Sequence, residues 1–238
     1  PIPYDLITRT PYFEAQMNSD DLVEVEDSDL QLNKLVKTDN DDTYIVYFDF
    51  ETLTKGKHVP YLLCCITEEG KTKSFQGDEC GKNFINWLKK LKKKEIQLVA
   101  HNLKYDFSFI WEYIFCLKPI ISGNRLIGGG GRIYMGKEKF IDVVFQDSYN
   151  HISCKLSAFG DMFQLDQRKE FMPYSVYTKK NISHKAISLK RVYKSKEFKT
   201  QEHKDLFYNN CVEWDCIMMN DKKEYIDILK YSKKYCEI

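Results

Sequence analysis

The stretch "YIVYFDFETLT", Tyr44 to Thr54, decides how this chain is read. Its aromatic and β-branched residues favour a strand. Side chains on a strand alternate between faces, so Asp49 and Glu51 share one face, preceded on it by Ile45 and Tyr47. Val46, Phe48 and Phe50 take the other face. Two carboxylates so close repel each other, and burying them unpaired costs several kcal/mol or raises their pKa. A divalent cation removes both problems; a solvated strand end removes them equally well. On this segment alone the two readings stand level.

Outward from this strand (44–51) the pattern continues. "VPYLLCCIT" (59–67) and "TKSFQ" (72–76) read as two more strands, with "EEG" (68–70) as a turn. "CGKNFINWLKKLKKK" (80–94) places Phe84, Trp87, Leu88 and Leu91 at helical spacing, with lysines opposite. "IQLVAHN" (96–102) is a short apolar strand. "YDFSFIWEYIFCL" (105–117) predicts a helix burying Phe109, Ile110, Tyr113, Ile114 and Leu117. "RLIGGGGRIYMG" (125–136) and "KFIDVVFQDS" (139–148) predict a hairpin feeding a strand. "KLSAFGDMFQL" (155–165) is a short helix, and a final helical region runs from about 204 to 235. The expected fold is α/β, a mixed sheet flanked by helices.

Charge divides the chain. Residues 1–42 hold 11 acids and 3 bases, a balance of −8, against +1 for the whole, so the remainder carries +9. We expect an acidic N-terminal arm over 1–42 and a body, 43–238, suited to a polyanionic partner such as nucleic acid. Within that body, 178–200 carries eight bases and one acid and reads as an exposed basic insert. The arm is a candidate to cover a basic DNA channel. The eight cysteines include no C-x-x-C, which points to reduced core thiols in an intracellular protein rather than a disulfide framework or zinc site. No run of 18 apolar residues marks a membrane span, and the first residue, Pro1, suggests a processed or trimmed chain.

Two further acids stand out. In "HNLKYDFSFI" (101–110), Asn102 and Asp106 are four apart at the start of the predicted helix, and Asp106 continues its apolar face. An acid there is equally a partner of the helix dipole. In "YNNCVEWDCIMMN" (208–220), Asp215 shares a helical face with Tyr208 and Cys211, where a buried ion pair is the alternative. Together, Asp49, Glu51, Asp106 and Asp215 make a four-carboxylate set, the oxygen-rich environment that hard cations such as Mg²⁺ or Mn²⁺ need for two-metal phosphoryl chemistry. "GRIYMGKE" (131–138) matches G-x-x-x-x-G-K. Glu138 stands where Ser or Thr would meet Mg²⁺, so an NTPase loop is rejected and the glycines are assigned to hairpin turns or close DNA approach.

These three acidic motifs resemble those of DEDD 3′–5′ exonucleases, most closely the proofreading domain of protein-primed family B DNA polymerases of bacteriophages, adenoviruses and linear plasmids. "HNLKYD" is the most specific string, and the resemblance covers roughly residues 44–175 and 204–220. It implies an RNase H-like fold and a hydrolytic nuclease holding two Mg²⁺ or Mn²⁺ ions on Asp49, Glu51, Asp106 and Asp215, with Asp49 shared between them. It implies that Lys169, in "QLDQRKEFMPY" (164–174), counters charge on the phosphate. It also implies that Thr52, Asn102, Tyr105, Ser148 and Tyr149 hold a frayed single-stranded 3′ end, with Ser148 and Tyr149 in a "DSYNHI" segment where Tyr149 replaces the usual Leu. Cys211 departs from the pattern: the family carries a water-positioning Tyr four residues before the last Asp. Tyr208, one turn earlier, either reaches in or belongs to the core. Implied partners are the polymerase portion of the same full-length chain and a terminal protein primer, working in DNA replication in host cytoplasm, nucleus or mitochondrion, with no membrane. Alternatives from the residues are a free-standing DEDD exonuclease on DNA or RNA, and a non-catalytic single-strand-binding domain.

Overall fold

The computed structural model describes residues 43–165, 171–182, 186–220 and 223–237. The acidic arm and Lys169 lie outside the described residues. The opening stretch forms β1 (Thr43–Leu53), followed by β2 (Val59–Thr67), β3 (Thr72–Gln76), α1 (Cys80–Lys90), β4 (Glu95–Ala100) and a one-turn α2 (Leu103–Phe107). Then come β5 (Phe115–Ser122), β6 (Arg125–Gly136) and β7 (Lys139–Asp147). These strands make one seven-stranded sheet in the order β3-β2-β1-β4-β7-β6-β5. β1 is parallel to β4 and β4 to β7, while the remaining pairs are antiparallel. A mixed sheet with 3-2-1-4-7 at its centre and its second strand antiparallel is the RNase H-like arrangement expected from sequence.

The alternation in β1 sorts the two faces. Tyr44, Val46, Phe48 and Phe50 enter a core with Phe84, Ile85 and Leu88 of α1 and with Leu103 and Phe107 of α2. The opposite face carries Asp49, Glu51 and Leu53, and a second core covers its end. Beyond β7 come α3 (Phe159–Met162), α4 (Lys179–Ile182), β8 (Ile187–Ser188), α5 (Leu189–Val192), α6 (Gln201–Glu213), the β9 (Ile217–Asn220) and β10 (Lys223–Ile226) hairpin, and α7 (Ile228–Glu237). α5, α6 and α7 supply much of the second core, with Leu53 of β1, Tyr61 and Leu62 of β2, and Met172 and Tyr177, and β8, β10 and β9 form a second, three-stranded sheet.

Three expectations need correction. The helix predicted over 105–117 is only the turn of α2, a 3-10 turn at Trp111–Tyr113 and the first residues of β5. Phe109, Ile110, Ile114 and Leu117 are buried as expected, but a segment this rich in aromatics and isoleucine has poor helix propensity and pairs readily with a neighbouring strand. That neighbour is the glycine run of β6. A Cβ on Gly129 (φ +146) would lie 2.5 Å from both the Lys118 carbonyl oxygen and the Phe145 ring, so these glycines let β5, β6 and β7 approach closely rather than cradle phosphate. The helical region predicted from about 204 to 235 is interrupted: two helices are separated by the β9–β10 hairpin. Among the described residues of the basic insert the bases are exposed, but Ile187, Leu189, Val192 and Phe198 are buried in the second core. Its apolar residues therefore anchor it to the body.

All eight cysteines are free thiols, six of them buried. Among the described residues, no helix is long and apolar enough to cross a membrane.

Candidate active site at the strand ends

Parallel strands leave a crevice beyond their carboxyl ends, where open α/β sheets bind ligands. Here the pairing of β1 with β4 stops at Tyr47–Val99, while β1 runs on to Leu53 beside β2. The Phe50 amide consequently has no β4 partner. It donates instead to Asp106 Oδ1 at 3.0 Å, so α2 brings its acid to the strand end that carries Asp49 and Glu51. Glu51 and Asp106 are 5% and 3% exposed, and Asp49 is half-buried. Asp106 is therefore not an exposed partner of the helix dipole: it is buried and satisfies the amide of Phe50, between the two acids in β1.

The crevice is lined on its far side by β4 and β7. Asp147, at the end of β7, accepts from the Asn102 amide at 2.8 Å and the Tyr149 amide at 3.0 Å. This ties the turn after β4 to the 3-10 turn at Ser148–Asn150. Asn102 adopts φ 63, a left-handed conformation that Asn tolerates better than most residues. His101 Nε2 donates to the Cys154 carbonyl at 2.8 Å, while Nδ1 meets Ser148 Oγ at 3.0 Å. Tyr149 lies against His101, with ring centroids 5.3 Å apart, and beneath the Arg125 guanidinium at 4.8 Å. A cavity of about 320 Å³ joins these parts, lined by Asp49, His101, Ser148, Phe159, Cys236 and Glu237 among others.

Tyr105 is tied down at its hydroxyl. Its hydroxyl meets Thr52 Oγ1 at 2.5 Å and His58 Nδ1 at 2.8 Å, and its ring packs edge-on to Phe109. Burial is the main cause that raises its pKa, opposed by the Thr52 hydrogen bond and assisted by the charges of Asp106, Glu51 and Asp49. Thr52, Tyr105 and His58 thus form a polar chain along one edge of the acids.

Asp215 is not brought to this set. α6 ends at Glu213, and the Cys216 amide bonds the Cys211 carbonyl at 2.8 Å while the Asp215 amide bonds the Val212 carbonyl at 3.1 Å. That is a Schellman motif, with Asp215 in its left-handed position at φ 52. A residue there leaves the helical face, so the periodicity linking it to Cys211 and Tyr208 stops one turn too early. Its side chain is 91% exposed and pairs with Lys230 Nζ at 2.7 Å, an interaction that lowers its pKa. Cys211 is buried in the second core, and Tyr208 donates to Glu224 at 2.8 Å.

α7 covers the acids instead. Asp49, Glu51 and Cys236 have ligand atoms within 4.8 Å of one another. Cys236 Sγ lies 3.5 Å from the Asp49 carbonyl, and Ser232 meets the Tyr61 hydroxyl at 2.7 Å. Tyr235, on the same helix, meets the Tyr174 hydroxyl at 3.1 Å. Its pKa is raised chiefly by burial, with the Glu51 and Asp49 charges adding to it. Sequence reasoning missed the place at the site of Tyr235 and Cys236 on α7, and of His101, Asp147 and Arg125. The signal for α7 was available: Ile228, Tyr231, Ser232 and Tyr235 recur at i, i+3, i+4 and i+7, and all four are buried.

The family model "DNA polymerase type B, organellar and viral" matches residues 88–238. The chain belongs to this family. The match bears out the family B recognition, and its range takes in the Asn102–Asp106 motif, the Ser148–Tyr149 turn and α7; β1 precedes it. No curated protein sequence matches this family B chain. Among solved structures, Phi29 DNA polymerase complexed with single-stranded DNA is 17% identical, with a TM-score of 0.47 over 74% of this chain and 33% of that one. Phi29 DNA polymerase in its ternary complex with primer-template DNA and incoming nucleotides is 18% identical, TM-score 0.47, over 71% and 31%. The family B polymerase of the archaeon Pyrobaculum calidifontis gives 16% and 0.39 over 56% and 20%. The chain thus spans about a third of the Phi29 polymerase.

Proposed function

We propose that this chain is the 3′–5′ exonuclease part of a family B DNA polymerase, removing nucleotides from the single-stranded 3′ end of DNA during replication. The observation that carries the reading is the pairing of Asp49 and Glu51 at one strand end, with Asp106 tied to the amide of Phe50 between them, beside a cavity that Asp49, Ser148 and His101 line. Oxygen donors in that arrangement suit Mg²⁺ or Mn²⁺. Two such ions, when bound, would supply an activated attacking water and neutralise charge at the leaving 3′ oxygen. Asp49 and Glu51 would hold them, and Asp106, already spent in part on the Phe50 amide, would assist through its remaining lone pairs. Asp215 drops out of the ligand set because its carboxylate belongs to a turn and to Lys230. Lys169 remains the proposed counter-charge to the phosphate.

Thr52, Asn102, Tyr105, Ser148 and Tyr149 would position the strand. Tyr149, backed by His101 and Arg125, is the residue best placed to stack on a base, a contact indifferent to base identity. Tyr105 orients Thr52 rather than stacking freely. Tyr235, next to Cys236 on α7, is the candidate for the water-positioning place that Cys211 left open. Only an unpaired end can enter such a crevice, and mismatched ends fray at lower cost. The polymerase portion of a longer chain and a terminal protein primer are the proposed partners.

One observation favours a second reading, a single-strand-binding domain without catalysis: among the described residues, the donor group at the strand end holds two carboxylates and a thiol. Incubation with 5′-labelled single-stranded DNA and Mg²⁺ or Mn²⁺ separates the two. Stepwise 3′ shortening, abolished by Asp49→Ala, is the expected result. Binding without shortening would leave the second reading, and preferential shortening of RNA would point to a free-standing exonuclease.

A further inference from the structure

The acids of this site have a neighbour that hard cations do not require. Cys236 Sγ, Asp49 and Glu51 offer three donor atoms within 4.8 Å, one of them sulfur. A second thiol stands nearby: Cys64 is the β2 partner of Asp49 in the ladder, and its Sγ donates to the Lys233 carbonyl of α7 at 3.8 Å. Both thiols and Asp49 line the same cavity. Mg²⁺ takes no benefit from sulfur, whereas Zn²⁺ and Co²⁺ bind mixed thiolate and carboxylate sets in tetrahedral geometry.

We propose that Asp49, Glu51 and Cys236 form a site for a thiophilic divalent cation of the Zn²⁺ class, which would occupy the place of the hard cation and hold the nuclease inactive. The proposal rests on reading Asp49 and Glu51 as cation ligands. Cys236 supplies the sulfur, its proton passing to the buffer as the metal–sulfur bond forms, and a solvent molecule or Cys64 completes four-coordination. The Cys236 thiol donates to the Asp49 carbonyl at 3.5 Å, and a coordinating thiol is deprotonated outright. No cysteine spacing in the sequence discloses such a site, because Asp49 and Cys236 are 187 residues apart.

Co²⁺ is the probe, because a thiolate ligand gives it an intense near-ultraviolet charge-transfer band that oxygen ligands do not. The unaltered chain titrated with Co²⁺ should develop the band, and Zn²⁺ should bleach it. Cys236→Ser should remove the band and weaken Zn²⁺ binding about 10–100-fold or more, taking the loss of an outer partner as the lower bound. Cys236→Ala, compared by circular dichroism with the parent, guards against a folding defect. No band in the parent, or a band that persists in folded Cys236→Ser, overturns the proposal. Mg²⁺-dependent 3′ shortening in the same preparations is read separately. Shortening without a band defeats this inference alone, and a band without shortening defeats the nuclease reading alone.

Discussion

Asp106 is asked to do two things, and two substitutions separate them. Its Oδ1 accepts the buried Phe50 amide at 3.0 Å where the β1–β4 ladder has ended, and its side chain is 3% exposed. Asp106→Ala leaves that amide unsatisfied, which costs about 1–3 kcal/mol. For a domain of this size each kcal/mol lowers Tm by about 2–4 °C, so the expected loss is about 2–12 °C. Asp106→Asn keeps a carbonyl oxygen at the same point and removes only the charge. It should remain within about 1 kcal/mol of the parent, yet lose cation-dependent 3′ shortening by about 10–100-fold, the usual effect of an outer partner at a metal site. Thermal unfolding by circular dichroism and shortening of 5′-labelled single-stranded DNA read the two roles independently. Asp106→Ala as stable as the parent would refute the ladder argument. Fully active Asp106→Asn would show that the acid is purely structural.

Asp215→Ala should retain 3′ shortening within about twofold, as an exposed turn residue away from the site does; a loss comparable to Asp49→Ala would restore it to the ligand set and contradict the Schellman geometry. Lys230→Met should bring the Asp215 pKa back up toward the ordinary carboxylate value in an NMR titration. Because the folded pKa is depressed, the pair's contribution exists above the unfolded pKa and fades as pH falls through the folded one; the parent-minus-variant difference in stability should shrink on acidification. Gly129→Ala should destabilise by more than about 1 kcal/mol, since φ +146 and a 2.5 Å approach to the Lys118 carbonyl leave a methyl no space, and urea unfolding would show it. Arg125→Ala should weaken single-stranded DNA binding and flatten its salt dependence, because it removes the cation above Tyr149.

What was legible depended on the range over which each signal acts. β2 and β3 begin and end where their turn residues say, and the α1 lysines stay on its outer face, because period and turn chemistry are properties of neighbours in sequence. "FSFIWEYIFCL" misled because burial alone produces apolar runs, and a buried strand cannot be told from a buried helix by periodicity over so few residues. "YNNCVEWDC" misled for a narrower reason. Three matching positions on a helical wheel mean nothing once the helix stops, and it stops at Glu213 through two backbone hydrogen bonds that Asp, tolerant of positive φ, permits.

The sequence by itself determined the chemistry on offer: a strand with two acids on one face, a second motif carrying Asn102 and Asp106, and a basic body. Alternation on β1 required that Asp49 and Glu51 emerge together, whatever lay beyond. Only the tertiary structure decided what stands over them. α7, not α6, packs on that face, bringing Tyr235 and Cys236 to the acids and leaving Asp215 to Lys230. Which of two helices covers a sheet face is a competition in buried area between segments far apart in the chain, and no local pattern records its outcome.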